Sequence, residues 1–479
     1  MTSTLVSPET VRPRMTNRQV AALVLLLTSQ FLMAADFSLL NVALPSIGVE
    51  LGFTQGGLQW IATAFALCAA GFTLVFGRVG DYAGRRRVFI GGMAVLAVAS
   101  AAGGFAQSPT PLLVARALQG LATAAITPVS MALLTTTFTE PRLRARALGL
   151  NSVMMSSGFV FGSIFGGSLT DLLSWRWAFF INIPVAVAAI CLIRFVVPES
   201  VSDERRSFDT PGAVLITAGM FGIIYGVTDA AAAGFTALNS ASLLGGCVLI
   251  GVFWAVEKRT TDALVPVRVL RIPDVAIGNA TALFIFGGET ALIYFTGIYV
   301  QDVLHYSPLA SGLVLLGIGV GQILAGSFGP RVIEAVSPRT LLGLAVAGQG
   351  AFMLPMVWAT EDPGWLAWVI AAQFVNGAFS MLALISFMMI ATSAVSVDLQ
   401  GMATGVATQS QQVGQTIGIP LVSSVFVASA GAAAAGSGGQ LHGIHVALLV
   451  DALTLVGVGA LVFLVFRLRG RAAPATVEE

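Results

Sequence analysis

ALCAAGFTLVFGRVGDYAGRRRVFIGGMAVLAVAS, Ala66 to Ser100, is an apolar run, a short charged loop and a second apolar run. The loop gathers Arg78, Asp81 and Arg85 to Arg87, while the stretches on either side carry no charge. An α-helix of about 20 apolar residues crosses roughly 30 Å of hydrocarbon, so this segment reads as two membrane spans joined by a basic turn. Working outward, comparable runs occupy 20–45, 57–76, 88–106, 111–136, 146–170, 177–197, 211–228, 241–256, 275–300, 309–328, 340–358, 364–392, 402–429 and 444–466. Fourteen spans in 479 residues leave room for little else. The composition agrees: 56% of residues are hydrophobic and 10% charged, with mean hydropathy +0.88, far from the quarter of charged residues usual in soluble domains.

Twenty-four basic residues nearly balance 23 acidic ones, which gives no electrostatic footprint for nucleic acid. Their placement is more telling. Arg12, Arg14, Arg18, the Arg78 to Arg87 loop, Arg142 to Arg146, Arg194, Arg205, Arg206, Lys258 to Arg271, Arg331, Arg339 and Arg467 to Arg471 all fall on one side under strict alternation. Only Arg116 and Arg176 break the pattern. Because basic loops stay cytoplasmic, both termini are expected in the cytoplasm of a multi-pass cell-membrane protein. No A-x-A-like cleavage site interrupts the first run, so it reads as a retained span. Cys68, Cys191 and Cys247 lie in apolar stretches without metal-ligand spacing, and no metal site is expected.

The chain also repeats itself. ALGLNSVMMSSGFVFGS, from Ala147, has glycines at 149, 158 and 162; ATGVATQSQQVGQTIGI, from Ala403, has them at 405, 414 and 418, an offset of 256. RALQG at 116–120 matches QFVNG at 373–377 with an offset of 257. A six-helix unit of this size takes about 190 residues, so the offset leaves two extra helices between the repeats. The expected architecture is an all-α membrane protein with a six-helix bundle over 1–200, two inserted helices over 201–272 and a second six-helix bundle over 273–479.

GRVGDYAGRRRVF, Gly77 to Phe89, resembles the signature G-x-L-A-D-R-x-G-R-[RK] of the major facilitator superfamily, with Gly77, Asp81, Gly84, Arg85 and Arg86 on pattern and Gly80 and Tyr82 departing from it. An ordinary basic loop is the plain alternative. LLVARALQGLATAA resembles the family's fourth-helix motif, whose arginine, here Arg116, faces the central cavity near an acid of the first helix. GFVFGSIFGG resembles the fifth-helix antiporter motif, with Gly158, Gly162, Gly166 and Gly167 in place and Ser163 where the motif has proline. Glycines at that spacing also serve simple close packing of helices. DFSLLNVALPSI from Asp36, SWRWAFFINIPVA from Ser174 and YVQDVLHYSPLASG from Tyr299 resemble the fourteen-helix drug:proton antiporter branch. The E-x-x-E-R of proton-coupled peptide symporters is absent from the first helix. The resemblance implies a major facilitator fold, two pseudo-symmetric bundles, and alternating access powered by a proton gradient without a cofactor.

Acids inside spans are costly and default to function. Asp36 lies about 24 Å and Glu289 about 21 Å into their helices at 1.5 Å per residue, and their offset of 253 is close to that of the repeat. Both are therefore expected to face the central cavity as near symmetry mates. Asp36, Arg116 and Glu289 are candidates for proton coupling, with Asp451 a further one; Asp36 could instead be only the counter-ion of Arg116, and Glu289 a hydrogen-bonded cavity residue. Polar and soft residues on the same helices form the candidate substrate cavity: Gln30, Asn41, Asn151, Met154, Met155, Asn279, Gln373, Asn376, Met381, Gln409 and Gln412. Methionines suit varied apolar ligands. No catalytic cluster, P-loop or filter-like segment argues for an enzyme, an ATP-driven pump or a channel. The expected protein is a monomeric, proton-coupled exporter of small amphipathic compounds, drugs or antibiotics, with an exporter dedicated to a single metabolite as the alternative.

Overall fold

The computed structural model describes residues 15–199, 209–260, 270–393, 400–430 and 437–472. Fourteen helices in it are long and apolar enough to cross a membrane: α1 (Asn17–Leu51), α2 (Gln55–Ala83), α3 (Arg85–Gly104), α4 (Pro109–Thr137), α5 (Pro141–Leu172), α6 (Trp177–Val196), α7 (Thr210–Ala233), α8 (Ala237–Glu257), α9 (Pro273–Val303), α10 (Pro308–Ala335), α11 (Pro338–Trp358), α12 (Trp365–Ser393), α13 (Gln400–Ala430) and α14 (Ser437–Ala472). The protein is a multi-pass membrane protein. Its helix starts are written in local chemistry: Thr16, Thr54, Asp209, Thr236, Ser307 and Ser337 each accept a backbone N–H of the first turn, and proline opens α4, α5, α9, α10 and α11. The domain boundary expected at 200 falls outside the described residues.

In lipid, apolar side chains gain little by leaving the solvent for each other, so helix association depends on close approach and hydrogen bonds. Glycines supply the approach here. A Cβ at Gly162 of α5 would lie 2.5 Å from the Ala35 carbonyl oxygen, and one at Gly166 would lie 2.8 Å from Leu39 Cα, so α5 lies flat on α1. Ser163, where the motif has proline, shares a 2.6 Å hydroxyl bond with Ser38 of α1. Gly167 faces the start of α10, a Cβ there being 2.6 Å from Leu309 Cα. The last six helices reproduce the arrangement: a Cβ at Gly414 of α13 would meet Leu283 of α9 at 2.7 Å, and Gly418 sits on Gly287.

Between the two sets, α7 and α8 pair through Gly222, whose Cβ would lie 3.0 Å from Gly246 Cα. The pair docks on α2: Thr217 Oγ1 donates to the Gly71 carbonyl at 2.8 Å and Gln59 Nε2 to the Thr228 carbonyl at 3.2 Å. Because α7 also packs along α13, it follows the seam where α2 meets α13.

The two arginines that break the sidedness pattern are each neutralised. Arg116 pairs with Asp36 inside the first six helices. Arg176 pairs with Glu50, donates to the Ala106 carbonyl at 3.1 Å and stacks on Trp175, whose indole N–H donates to the other Glu50 oxygen at 2.6 Å. A basic residue on the arginine-poor face thus brings its own carboxylate.

Replacing Gly162 by Val forces α1 and α5 apart and is expected to destabilise the protein by about 1–3 kcal/mol, the usual cost of overpacking. Gly245 has nothing within 4 Å of the position a Cβ would take, so Gly245→Val should leave thermal unfolding in detergent unchanged.

Candidate functional site

Two polar centres lie in the interior, one residue apart in register. Asp36 and Arg116 are both 1% exposed. Arg116 Nη1 donates to Asp36 Oδ2 at 2.9 Å and to Gln119 Oε1 at 2.8 Å, and its Nε donates to the Ile61 carbonyl at 3.1 Å. Asn182 of α6 donates to Asp36 Oδ1 at 2.6 Å; Ser100 ties Gln119 and Asn182 together, accepting at 2.9 and 3.3 Å. Arg116 and Gln119 lie one turn apart on α4, so both reach the same carboxylate. The guanidinium also stacks on Phe65 at 4.3 Å, and Phe65 lines the central cavity. Two buried opposite charges with this many bonds form a closed set.

The second centre opens into that cavity, of about 190 Å³, between the first and last six helices. Its apolar wall includes Met33, Phe37, Phe65, Met155, Phe159, Phe286 and Met381; Gln30, Gln322, Gln411, Gln412, Gln415, Thr123 and Ser380 supply polar groups. Glu289 is the single charged residue among those lining it. Its Oε1 accepts from Gln322 Nε2 at 2.6 Å and its Oε2 from Ser380 Oγ at 2.7 Å, both neutral donors.

The expectation that Asp36 and Glu289 face the cavity as symmetry mates is corrected by the packing. Gly158 and Gly414 seat on Phe31 and Leu283, and Gly162 and Gly418 on Ala35 and Gly287, which sets the register between α1 and α9 at 252 residues, not 253. Asp36 therefore corresponds to Gly288, and Glu289 to Phe37. One residue on an α-helix is about 100° of rotation, which turns Asp36 into the bundle and Phe37 and Glu289 into the cavity. Asp451 lies on α14 against Gly288, away from the cavity lining.

Of the candidate cavity residues, Gln30, Met155, Met381 and Gln412 line it. The others lie elsewhere because the helix backbone or a neighbouring helix claims their polar groups. Asn41 bonds to the Phe37 carbonyl and Asn279 to the Val275 carbonyl, each one turn back. Gln373 bonds to Thr296 and Asn376 to the Gln349 carbonyl, inside the last six helices. Gln409 spans to the Ala70 carbonyl of α2 at 2.7 Å. Asn151 contacts the Met155 sulfur, and Met154 packs among buried residues of the first six helices.

In the signature loop, Arg85 chelates Asp81 at 2.8 and 3.0 Å. Glu199, beyond α6, accepts the Arg86 backbone N–H at 2.9 Å and lies 3.6 Å from the Arg86 guanidinium. Gly84 has φ +105°, a backbone conformation that favours glycine, and a Cβ there would come within 2.8 Å of the Glu199 carboxylate, which would have to shift. Gly77 leaves ordinary contact with Pro128 at 3.8 Å.

Sequence reading missed Gln119, Asn182, Gln322 and Ser380, the direct partners of the two acids. Gln119 was legible one turn from Arg116; Gln322 and Ser380 carry no local signal.

A family model described as the Major Facilitator Superfamily matches residues 26–419. The chain belongs to the major facilitator superfamily. Among curated relatives of this member, the puromycin resistance protein pur8 of Streptomyces alboniger is 32% identical over 469 residues, covering 95% of this chain and 92% of the relative. The cephamycin export protein CmcT of Amycolatopsis lactamdurans is 32% identical over 432 residues, covering 89% and 88%. Among solved structures, the POT family transporter PepTSo aligns with TM-score 0.70 over 96% of this chain and 99% of that one at 14% identity, a likeness of fold alone.

Asp36→Asn strands the buried Arg116 charge and is expected to cost about 3–5 kcal/mol in stability, the usual penalty for breaking a buried ion pair. Adding Arg116→Leu should recover much of that loss. A double-mutant cycle on unfolding in detergent measures both.

Proposed function

We propose that this major facilitator is a drug or antibiotic exporter that exchanges small amphipathic compounds for protons by alternating access, without a cofactor. The observation that carries the reading is the central cavity: aromatic and methionine walls, a rim of glutamines, and one carboxylate, Glu289, whose bonded partners among the described residues are neutral. Aromatic and thioether surfaces accept many apolar shapes, and glutamine amides can donate or accept as the ligand demands. The resistance and export proteins among its relatives support the same cargo class.

Glu289 is the exchange group in this reading. A carboxylate without a counter-charge in a low-dielectric cavity is stabilised either by a proton or by a cationic or donor-bearing ligand. Proton and cargo then compete for one group, which is the minimum for antiport. Asp36 serves differently: held by Arg116 and Asn182, it keeps Arg116 buried beneath Phe65 and so fixes the cavity floor. The bundles of 1–200 and 273–479 move as units on either side of the cavity, the pair over 201–272 rides between them, the termini are cytoplasmic, and the monomer suffices because the cavity is built within one chain.

In proteoliposomes with an imposed proton gradient and a panel of cationic, neutral and anionic compounds, the wild-type protein should move protons when an amphipathic cation is added. Glu289→Gln should abolish that movement and weaken binding of the cation by about tenfold, the equivalent of about 1.4 kcal/mol. Unchanged coupling in the variant would remove Glu289 from the mechanism, and no transport of any compound at either polarity would overturn the antiporter reading.

A further inference from the structure

The two halves solve the same interior position with opposite charge accounting. In the first, the first helix supplies Asp36, the last helix supplies Asn182, and α4 supplies the compensating Arg116. In the second, the site equivalent to Asp36 is Gly288, and the last helix supplies the acid: a Cβ at Gly288 would lie 3.0 Å from Asp451 Oδ1, so the carboxyl fills the space left by the missing side chain. The position equivalent to Arg116 is Gln373. The carboxylate has changed helices and its counter-charge is gone.

Among the described residues, no ion pair replaces that counter-charge. Asp451 is 6% exposed, and its Oδ2 is buried without a hydrogen-bond donor. On α9, Asp274 is taken up by Arg339 and Arg469 at the helix start, Glu289 turns to Gln322 and Ser380, and Asp302 meets Gln440 at the other end. Described residues of α12 and α13 include no charged side chain, and α11 has only Arg339, at its start. On α14 itself, His442 lies nearer the helix start, His445 binds the Ala359 carbonyl at 2.7 Å, and Arg467 and Arg469 lie at the far end. The helices packed around α14 also hold buried acceptors that lack a donor. Gln349 uses its amide N–H on the Ile285 carbonyl at 3.1 Å, one turn before Gly288, while its Oε1 has no donor; its neighbour Gly350 sits on the Ala452 carbonyl, beside Asp451. Asn376, donating to the Gln349 carbonyl at 3.1 Å, likewise has an Oδ1 without a donor.

We propose that Asp451 is a proton-binding site in the interior of the second bundle, separate from the cavity and from Asp36, holding its proton as a neutral carboxylic acid at neutral pH. A bare carboxylate buried in a span without a counter-charge, one oxygen lacking any donor, is costly to keep charged. One proton from water removes the charge and converts an acceptor into an O–H donor. The site stands on the bundle's internal bonding and holds whatever the cavity carries, so failure of the export reading leaves it intact.

Infrared spectra of the full chain purified in the Glu289→Gln background, which silences the other buried acid of this half, test it. At neutral pH a carboxylic-acid carbonyl band, separate from the carboxylate bands, should be present and should disappear in E289Q/D451N. The same double variant should unfold within about 2 °C of its parent, since Asn replaces a neutral acid of equal shape. A band unchanged by D451N overturns the proposal. So does a large fall in unfolding temperature, as given by D36N, because that is the signature of a charged carboxylate losing a counter-charge. Loss of the band with proton release on adding sodium or lithium at fixed pH, in a choline-based buffer, would reassign the site to a metal cation and overturn the proton reading.

Discussion

A charge held in the middle of a membrane must be matched by an opposite charge, a proton or water, because the surrounding hydrocarbon offers nothing else. Most of what is distinctive in this chain follows from how that demand is met at each place. Arg116 is matched by Asp36, and the match recruits Gln119, Asn182 and Ser100 until four helices are tied at one point. Arg176 is matched by Glu50 in the last turn of α1. Glu289 is met, among the described residues, by the neutral donors of Gln322 and Ser380 and stands beside open space. In the proposed exchange the partners separate a fastened acid from an exchangeable one: a guanidinium supplies a full counter-charge, whereas a glutamine and a serine supply only neutral donors.

The same accounting separates what the residues announce from what only packing reveals. Fourteen spans were legible because crossing hydrocarbon imposes a length and a composition that few other structures need. The repeat was legible through α4, α5, α12 and α13 because glycines at helix crossings are replaced only at the cost of pushing backbones apart. The register of α1 on α9 was not, since neither helix carries matching glycines, and near-equal depth made Asp36 and Glu289 look like mates. A single residue of slippage, invisible in an apolar run, rotates a side chain by about 100° and decides whether an acid faces its own bundle or the cavity. Partners drawn from distant helices, such as Gln322 and Ser380, are set by tertiary packing and leave no trace in local sequence.

Polar residues in spans proved a poor guide to the cavity for a related reason. Asn41 and Asn279 spend an amide N–H on the carbonyl one turn back, an outlet that short amide side chains find readily in a helix. The longer glutamines fare differently: Gln30, Gln411, Gln412 and Gln415 reach the cavity, while Gln59, Gln301 and Gln409 reach backbone carbonyls of neighbouring helices. Length is not the whole of it, since Asn376 and Asn182 also bridge to other helices where the packing brings a partner close.

Those bridges show how the two sets of helices can hold together and still part. Seven ion pairs each join members of the same half: Asp81 with Arg85, Glu199 with Arg86 and Arg87, Asp36 with Arg116, Glu50 with Arg176, and Asp274 with Arg339 and Arg469. Across the divide run neutral bonds to helix carbonyls, from Gln301 to Val42 at 3.0 Å, Gln409 to Ala70 at 2.7 Å and Thr416 to Ala66 at 3.1 Å. Each such bond is worth about 0.5–1.5 kcal/mol net, and a carbonyl released on one side still keeps its own helical partner. Alternating access requires repeated separation of surfaces that never lose their internal shape. Confining charge compensation within each half and leaving neutral bonds and bare glycine contacts between them meets both requirements with one rule.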